Sequence, residues 1–172
     1  MNGFASASQP QRPTLRFLLS HPAHIVALGL GTGLSPWAPG TFGTLLAIPL
    51  AFVLWTWAND LAFLAVVFVL LLGGAWAAQR TGRALGAPDH GGIVIDEVAA
   101  FLLVLFFTGS QPHRIALAFV LFRLFDIVKP PPIRQIDARM KSGIGVMVDD
   151  LVAAGFALLV YAAIVRLTGW PE

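Results

Sequence analysis

The chain has 172 residues, of which 57% are hydrophobic and 12% are charged, and its net charge is +2. This apolar share, with about half the usual content of charged residues, is not that of a water-soluble domain, and the small net charge gives no electrostatic basis for nucleic-acid binding. The absence of cysteine excludes disulfide bonds, thiolate metal ligands and a cysteine nucleophile.

Apolar runs, taken in chain order, predict an all-α, polytopic membrane helical bundle. The first two runs are separated only by Asn59 and Asp60 and predict a helical hairpin across a bilayer. Several runs are shorter than the roughly 20 residues that a span needs, so we predict about five spans, within a range of four to six. The runs cover residues 45–58, 61–78, 93–109, 115–128 and 148–167.

The chain divides into a polar tail and one domain. Residues 1–20 are predicted to be a cytoplasmic tail, and residues 21–172 a single transmembrane catalytic domain. Counting basic residues in the connections places nine on the cytoplasmic side and two, Arg114 and Arg166, outside. The nine are Arg12, Arg16, Arg80, Arg83, Arg123, Lys129, Arg134, Arg139 and Lys141. Seven of the nine acidic residues fall on the same side: Asp89, Asp96, Glu97, Asp126, Asp137, Asp149 and Asp150.

A glycine- and proline-rich segment precedes the first span. Residues 29–45 read GLGTGLSPWAPGTFGTL and run into the first apolar helix. Free N–H groups at a helix start bind anions, most often phosphate. The candidate phosphate-binding residues here are Gly40, Thr41, Gly43 and Thr44. A re-entrant turn or a tight helix-packing segment is the alternative, and the sequence leaves it open.

Carboxylates near the ends of three apolar runs form the candidate metal site. Asp96 and Glu97 end the motif DHGGIVIDE, and Asp149 and Asp150 follow a predicted glycine turn at the start of the last run. Ionisable groups at membrane depth are costly unless they pair or bind an ion, and an all-oxygen donor set favours Mg²⁺ over zinc. The structural alternatives are charge complementation at one helix start and capping at the other.

The motif FRLFDIVKPPPIRQID, residues 122–137, supplies mixed charges. Helical spacing places Arg123 and Asp126 on one face, with Lys129 above them, before three prolines end the helix. Arg123, Lys129 and Arg134 are candidate phosphate ligands, and Asp126 is a further metal ligand. An intramembrane ion pair without catalytic function is the alternative.

These four motifs, in this order and spacing, closely resemble the phosphatidylglycerophosphatase A family of bacterial inner-membrane lipid phosphatases. The resemblance runs from about His21 to the end of the last apolar run. It implies Mg²⁺-dependent removal of the terminal phosphate of phosphatidylglycerophosphate, a lipid substrate of the inner leaflet, to give phosphatidylglycerol. It also implies a multi-pass protein of the bacterial inner membrane with its active site on the cytoplasmic side.

The expected mechanism is attack by a metal-activated water. The expected metal ligands are Asp96, Glu97, Asp126, Asp149 and Asp150, one of them also serving as general base, and His90 is the candidate acid for the leaving oxygen. The rival function is an ion- or proton-coupled transporter or channel lined by intramembrane carboxylates. Oligomeric state and the number of metal ions are left open.

Overall fold

The computed structural model describes residues 12–131, 133–135 and 142–169, and within them it is helical, with no β-strand. This confirms the predicted all-α class. A 3₁₀ segment, Gly29–Leu34, lies between the second and third α-helices. The α-helices are α1 (Leu15–Leu19), α2 (Pro22–Ala27), α3 (Pro39–Trp57), α4 (Asp60–Leu85), α5 (Ile95–Thr108), α6 (Pro112–Val128) and α7 (Gly143–Thr168).

Three helices, α3, α4 and α7, are long and apolar enough to cross a membrane. The predicted hairpin is present: α3 ends at Trp57, and Asn59 caps α4 by accepting a hydrogen bond from the N–H of Ala62 at 2.8 Å. Helices α5 and α6 are shorter, with 14 and 17 residues. Since α3, α5 and α7 start at the end of the bundle where α4 and α6 finish, the acidic motifs share one end.

Four helices begin earlier than the apolar runs predicted, and the difference is largest for α3 and α7. Helix α3 begins at Pro39, which needs no hydrogen-bond partner for its nitrogen at a first position. The predicted glycine turn before Asp149 is wrong: Gly143 and Gly145 belong to the first turn of α7, whose N-cap is Ser142. The capping alternative for Asp149 and Asp150 is therefore wrong as well, because both lie in the second turn.

Helix α5 is the centre of the bundle. Helices α3, α4, α6 and α7 all pack against it, and ten of its fourteen residues are buried. Phe101 of α5 stacks on Phe122 of α6 and meets Phe119 edge-on. These rings pack α5 against α6 about one turn beyond the two carboxylates at the start of α5. The two carboxylates in the first turn of α5 are thus held among the starts and ends of its neighbours.

The 3₁₀ segment that precedes α3 is sharply bent. Leu30 and Gly31 have positive φ angles of 55° and 107°. A side chain on Gly33 would collide with the carbonyl oxygen of Gly92, and one on Gly43 would lie 2.7 Å from Cβ of Val94. These two glycines therefore allow the segment and α3 to approach the loop before α5 closely, as the packing alternative requires.

A buried polar contact joins α2 to α4. His24 is buried, and its Nδ1 lies 2.9 Å from Oγ1 of Thr81. The Thr81 hydroxyl also lies 3.4 Å from the carbonyl oxygen of Ala23. This contact holds the short helix α2 against the longer α4.

Replacing Thr81 by Val is expected to lower the free energy of unfolding by about 1–3 kcal/mol, because the imidazole of His24 then has an unsatisfied buried nitrogen. Thermal or denaturant unfolding in detergent micelles measures the change. Thr56→Val is the matched control, since the Thr56 hydroxyl is exposed and bonds only its own helix at Phe52; its expected effect is under 1 kcal/mol. Equal losses in both variants would contradict a special role for the contact.

Several predicted features lie outside the described residues. These are residues 1–11 of the tail and the charged residues Asp137, Arg139, Lys141 and Glu172.

Candidate active site

Three carboxylates from two helices meet at the acidic end of the bundle. Asp96 and Glu97 come from the first turn of α5, and Asp150 comes from the second turn of α7. One carboxylate oxygen of each lies within 4.8 Å of the other two. Although neighbouring residues project about 100° apart on a helix, both acidic groups of α5 thus reach a common point at the helix end.

Asp126 and Asp149 adjoin this trio. Asp126 lies within hydrogen-bonding reach of Asp150, and Asp149 is a close electrostatic neighbour of the same group. Asp126 comes from the last turn of α6 and Asp149 from the second turn of α7. The structure therefore gathers all five carboxylates that the sequence proposed as metal ligands.

Two cations lie against the carboxylates. Arg123 forms an ion pair with Asp126 one turn further along α6, and its Nη1 lies 3.8 Å from Oε1 of Glu97. Lys129 caps α6 in a left-handed conformation, which turns its ammonium group to Oδ2 of Asp149 at 2.5 Å. Arg123 and Asp126 share one face of α6, as the helical spacing predicted, and they form the ion pair of the alternative interpretation; Lys129 pairs with Asp149 of α7.

The cluster keeps an excess of negative charge and unused oxygen atoms. Five carboxylates face two cations within the described part of the chain. Oδ1 of Asp96, Oε2 of Glu97 and Oδ2 of Asp150 are buried without a hydrogen-bond partner. Buried charge is stable only when it is paired or bound to a metal, and oxygen donors suit a hard divalent cation. The residues present therefore fit Mg²⁺.

The start of α3 forms one wall of the cluster. A side chain on Gly40 would overlap Oε1 of Glu97 and lie 3.2 Å from Nη1 of Arg123, so any larger residue here would displace both charged groups. Thr44 is buried; its hydroxyl donates to the carbonyl oxygen of Gly40 at 2.9 Å and accepts from Arg123 at 3.4 Å. Both residues, which the sequence proposed as phosphate ligands, thus touch the groups around the carboxylates.

The other proposed ligands lie further from the cluster or make no contact with it. Thr41 is half-buried in the first turn of α3, and its N–H bonds to the carbonyl oxygen of Ala38 at 2.9 Å. Arg134 is exposed and forms no ion pair with the carboxylates among the described residues. His90 lines a recess of about 470 Å³ together with Pro39, the residue before Gly40, and its Nδ1 accepts the N–H of Gly92 at 3.0 Å.

Comparison with known proteins decides the family. The model of the family Phosphatidylglycerophosphatase A matches residues 25–165. The chain belongs to the phosphatidylglycerophosphatase A family. This confirms the resemblance drawn from the four motifs.

Relatives in the phosphatidylglycerophosphatase A family cover nearly the whole chain. A protein of Haemophilus influenzae with the family's name is 39% identical over 153 residues, 88% of this chain and 94% of its own length. Its Escherichia coli namesake is 36% identical over 162 residues, 91% and 90% of the two chains. A Bacteroides thetaiotaomicron protein, provisionally named a phosphatidylinositol-3-phosphatase, is 34% identical over 151 residues. No solved structure matches the chain.

The sequence analysis missed Gln79, which supports the site in this member of the phosphatidylglycerophosphatase A family. Oε1 of Gln79 on α4 accepts the N–H of Gly143 at 2.8 Å, at the start of α7. A side chain on Gly143 would collide with the carbonyl oxygen of Ala75. The start of the helix that carries Asp149 and Asp150 is therefore fixed against α4. A single uncharged polar residue after a long apolar run was the only signal in the sequence.

Proposed function

We propose that the protein hydrolyses the terminal phosphate of phosphatidylglycerophosphate to give phosphatidylglycerol and inorganic phosphate, in a reaction that depends on Mg²⁺. The observation that carries this proposal is the trio of Asp96, Glu97 and Asp150, two of them buried and Glu97 partly buried, which has unpartnered oxygens in a chain of the phosphatidylglycerophosphatase A family. The names of the relatives supply the substrate.

The five carboxylates of the cluster would hold the metal. When bound there, Mg²⁺ supplies positive charge that polarises the phosphoryl oxygens and favours ionisation of a water molecule. One of the carboxylates takes the proton of the attacking water. The water oxygen bonds to phosphorus as the bond to the glycerol oxygen breaks, and the electron pair of that bond remains on the glycerol oxygen.

The cations at the cluster neutralise the transferred group. Arg123 and Lys129 are already at the carboxylates, so each exchanges or shares a carboxylate partner when a phosphate arrives. Their charges stabilise the phosphoryl oxygens as negative charge shifts during bond cleavage. The start of α3, with Gly40 and Thr44, orients Arg123. His90, from the recess beside Pro39, is the proposed donor of the proton to the leaving glycerol oxygen.

We further propose five membrane spans, with the carboxylate end at the cytoplasmic face of the bacterial inner membrane. Because α5 and α6 alternate in direction with the three long helices and pack against them, they complete an up-and-down bundle. The basic residues counted from the sequence favour the cytoplasmic side for this end. A lipid whose acyl chains remain in the leaflet then presents its phosphate at the depth of the cluster.

A transporter or channel is not supported by the geometry. Its ionisable site is expected near the middle of the membrane, accessible from both sides. Here the carboxylates lie at helix ends on one side of the bundle, and the packed rings of Phe101, Phe119 and Phe122 lie next to them in the core.

The test is phosphate release from phosphatidylglycerophosphate in detergent micelles, with Mg²⁺ and with chelator. Release is expected only with Mg²⁺, and Asp126→Asn and Asp149→Asn are each expected to lower it by about 100-fold or more, since each variant removes a candidate oxygen ligand. Phosphatidylinositol 3-phosphate and phosphatidic acid serve as competing substrates. Full release by both variants would place the metal elsewhere, and no release from any lipid phosphate would contradict the phosphatase.

A further inference from the structure

A second polar recess lies at the same end of the bundle, between α2 and α4. It has a volume of about 480 Å³ and is lined by Arg80, Arg83, Trp76, His24 and Gln79 with the small residue Ala84. Among the described residues, no carboxylate lines it. The recess is therefore a basic counterpart to the acidic active site.

The two arginines of the recess are available to an anion. Both are exposed, and within residues 12–131, 133–135 and 142–169 neither forms an ion pair with a carboxylate. They lie three residues apart on α4 and so share one helix face. A guanidinium group offers a planar fork of donors that matches phosphate oxygens.

His24 provides a neutral wall beside these charges. Burial, followed by the charges of His21 and Arg80, lowers the pKa of His24. Its Nδ1 is bound to Thr81, and its ring stacks on Phe17 of α1 with centroids 4.2 Å apart. The positive charge of the recess thus comes from Arg80 and Arg83, and the histidine is a fixed part of its wall.

The position of the recess along α4 matches the headgroup layer. The long apolar run of α4 ends just before the recess, and Trp76, which is 57% exposed, lies one turn from Arg80 toward the membrane. Tryptophan concentrates at the membrane interface and arginine at the level of the phosphates. Nearby, α1 exposes Leu15 and Leu19, which suits a short helix resting at the same interface.

We propose that this recess binds the headgroup of an anionic glycerophospholipid, with the phosphodiester held by Arg80 and Arg83 and Trp76 packed along the top of the acyl chains. This lipid is not hydrolysed there, because the carboxylates of the active site are absent from the recess. A zwitterionic lipid binds more weakly, since its ammonium group offsets the attraction between its phosphate and the two guanidinium groups. The site gives the protein a fixed anionic lipid neighbour beside the helix that anchors α7.

The test measures the thermal stabilisation of the full-length protein by phosphatidylglycerol added to neutral detergent micelles, with phosphatidylcholine as the comparison lipid. Phosphatidylglycerol is expected to raise the melting temperature more than phosphatidylcholine does. In Arg80→Gln/Arg83→Gln, the mole fraction of phosphatidylglycerol that gives half the maximal shift is expected to rise about tenfold or more, because two charge-assisted contacts are lost. The matched control is Arg114→Gln/Arg166→Gln, which removes the same charge at the opposite end of the bundle.

Each other outcome overturns the proposal. An equal response in the double variant and the wild type would show that the recess does not select the headgroup. If Arg114→Gln/Arg166→Gln lost the phosphatidylglycerol response equally, the response would depend on the net charge of the protein and not on the recess. An equal shift produced by sn-glycerol 3-phosphate would indicate a site for soluble anions. If a variant has altered stability, native mass spectrometry counts the phosphatidylglycerol molecules that it retains. This count measures lipid binding independently of melting temperature and of phosphatase activity.

Discussion

Replacing Asp150 by Asn is expected to lower phosphate release by about 1000-fold or more while raising the melting temperature of the metal-free protein. Asp150 is 3% exposed and shares its surroundings with four other carboxylates. Two full charges about 5 Å apart repel each other by roughly 3 kcal/mol at an effective dielectric constant of 20. The amide keeps the shape of the side chain but removes one charge and one anionic ligand, so stability rises as activity falls.

Thermal melts with and without Mg²⁺ measure the gain in stability, and an assay of phosphate release measures the loss of activity. Mg²⁺ is expected to stabilise the wild type, since a ligand that binds only the folded state raises its stability, and to stabilise Asp150→Asn much less. Asp60→Asn is the matched control, because Asp60 is exposed at the opposite end of the bundle; both its activity and its Mg²⁺ response are expected to remain near those of the wild type. Unchanged activity of Asp150→Asn would contradict the assignment of the site.

Replacing Gly40 by Ala is expected to reduce activity by about 100-fold, although it adds only one methyl group. That group would overlap Oε1 of Glu97 and crowd Arg123, so the carboxylate and the guanidinium must both move. Displacements of about 1 Å at a reacting centre cost roughly 100-fold in rate. We expect the loss to be seen in phosphate release by a protein that is still folded and elutes normally from a sizing column.

Gly73→Ala is the control for a methyl group added to a helix. Apart from the adjoining backbone of its own helix, no atom lies within 4 Å of the position that its Cβ would occupy. Its activity is expected to be unchanged, and its stability to rise by about 0.5–1 kcal/mol because alanine is the better helix former. Full activity in Gly40→Ala would show that the start of α3 is not part of the active site.

The sequence predicted the helical class, the hairpin and the grouping of Asp96, Glu97, Asp126, Asp149 and Asp150. Apolar periodicity and length determine where helices run, and the cost of charge near lipid indicates that acidic residues must share partners. Helix starts were less predictable. Pro39 and Gly143 begin their helices outside the apolar runs, so for α3 and α7 a boundary set by hydropathy alone falls too late in the chain.

The contact partners of individual side chains could not be predicted from the sequence either. Lys129 was placed above Arg123 on the same helix, yet the left-handed backbone at the end of α6 directs it to Asp149 on α7. The contact of Gln79 with Gly143 depends on how two distant helices cross, which one-dimensional spacing does not encode. Tertiary packing, and not local propensity, decides such contacts.

The central position of α5 bears on how the protein is made. Most of this helix is buried, and its first turn carries two acidic groups whose neighbours at the cluster, Arg123 and the acidic pair of α7, are synthesised later. Before α6 and α7 have been synthesised, α5 therefore has only α3 and α4 of its four bundle neighbours beside it. The charged groups of α6 and α7 that surround its first turn are then still missing. Asp150 can join Asp96 and Glu97 only after α7 has been made, so a nascent chain that stops before α7 has neither a complete core nor a complete carboxylate cluster.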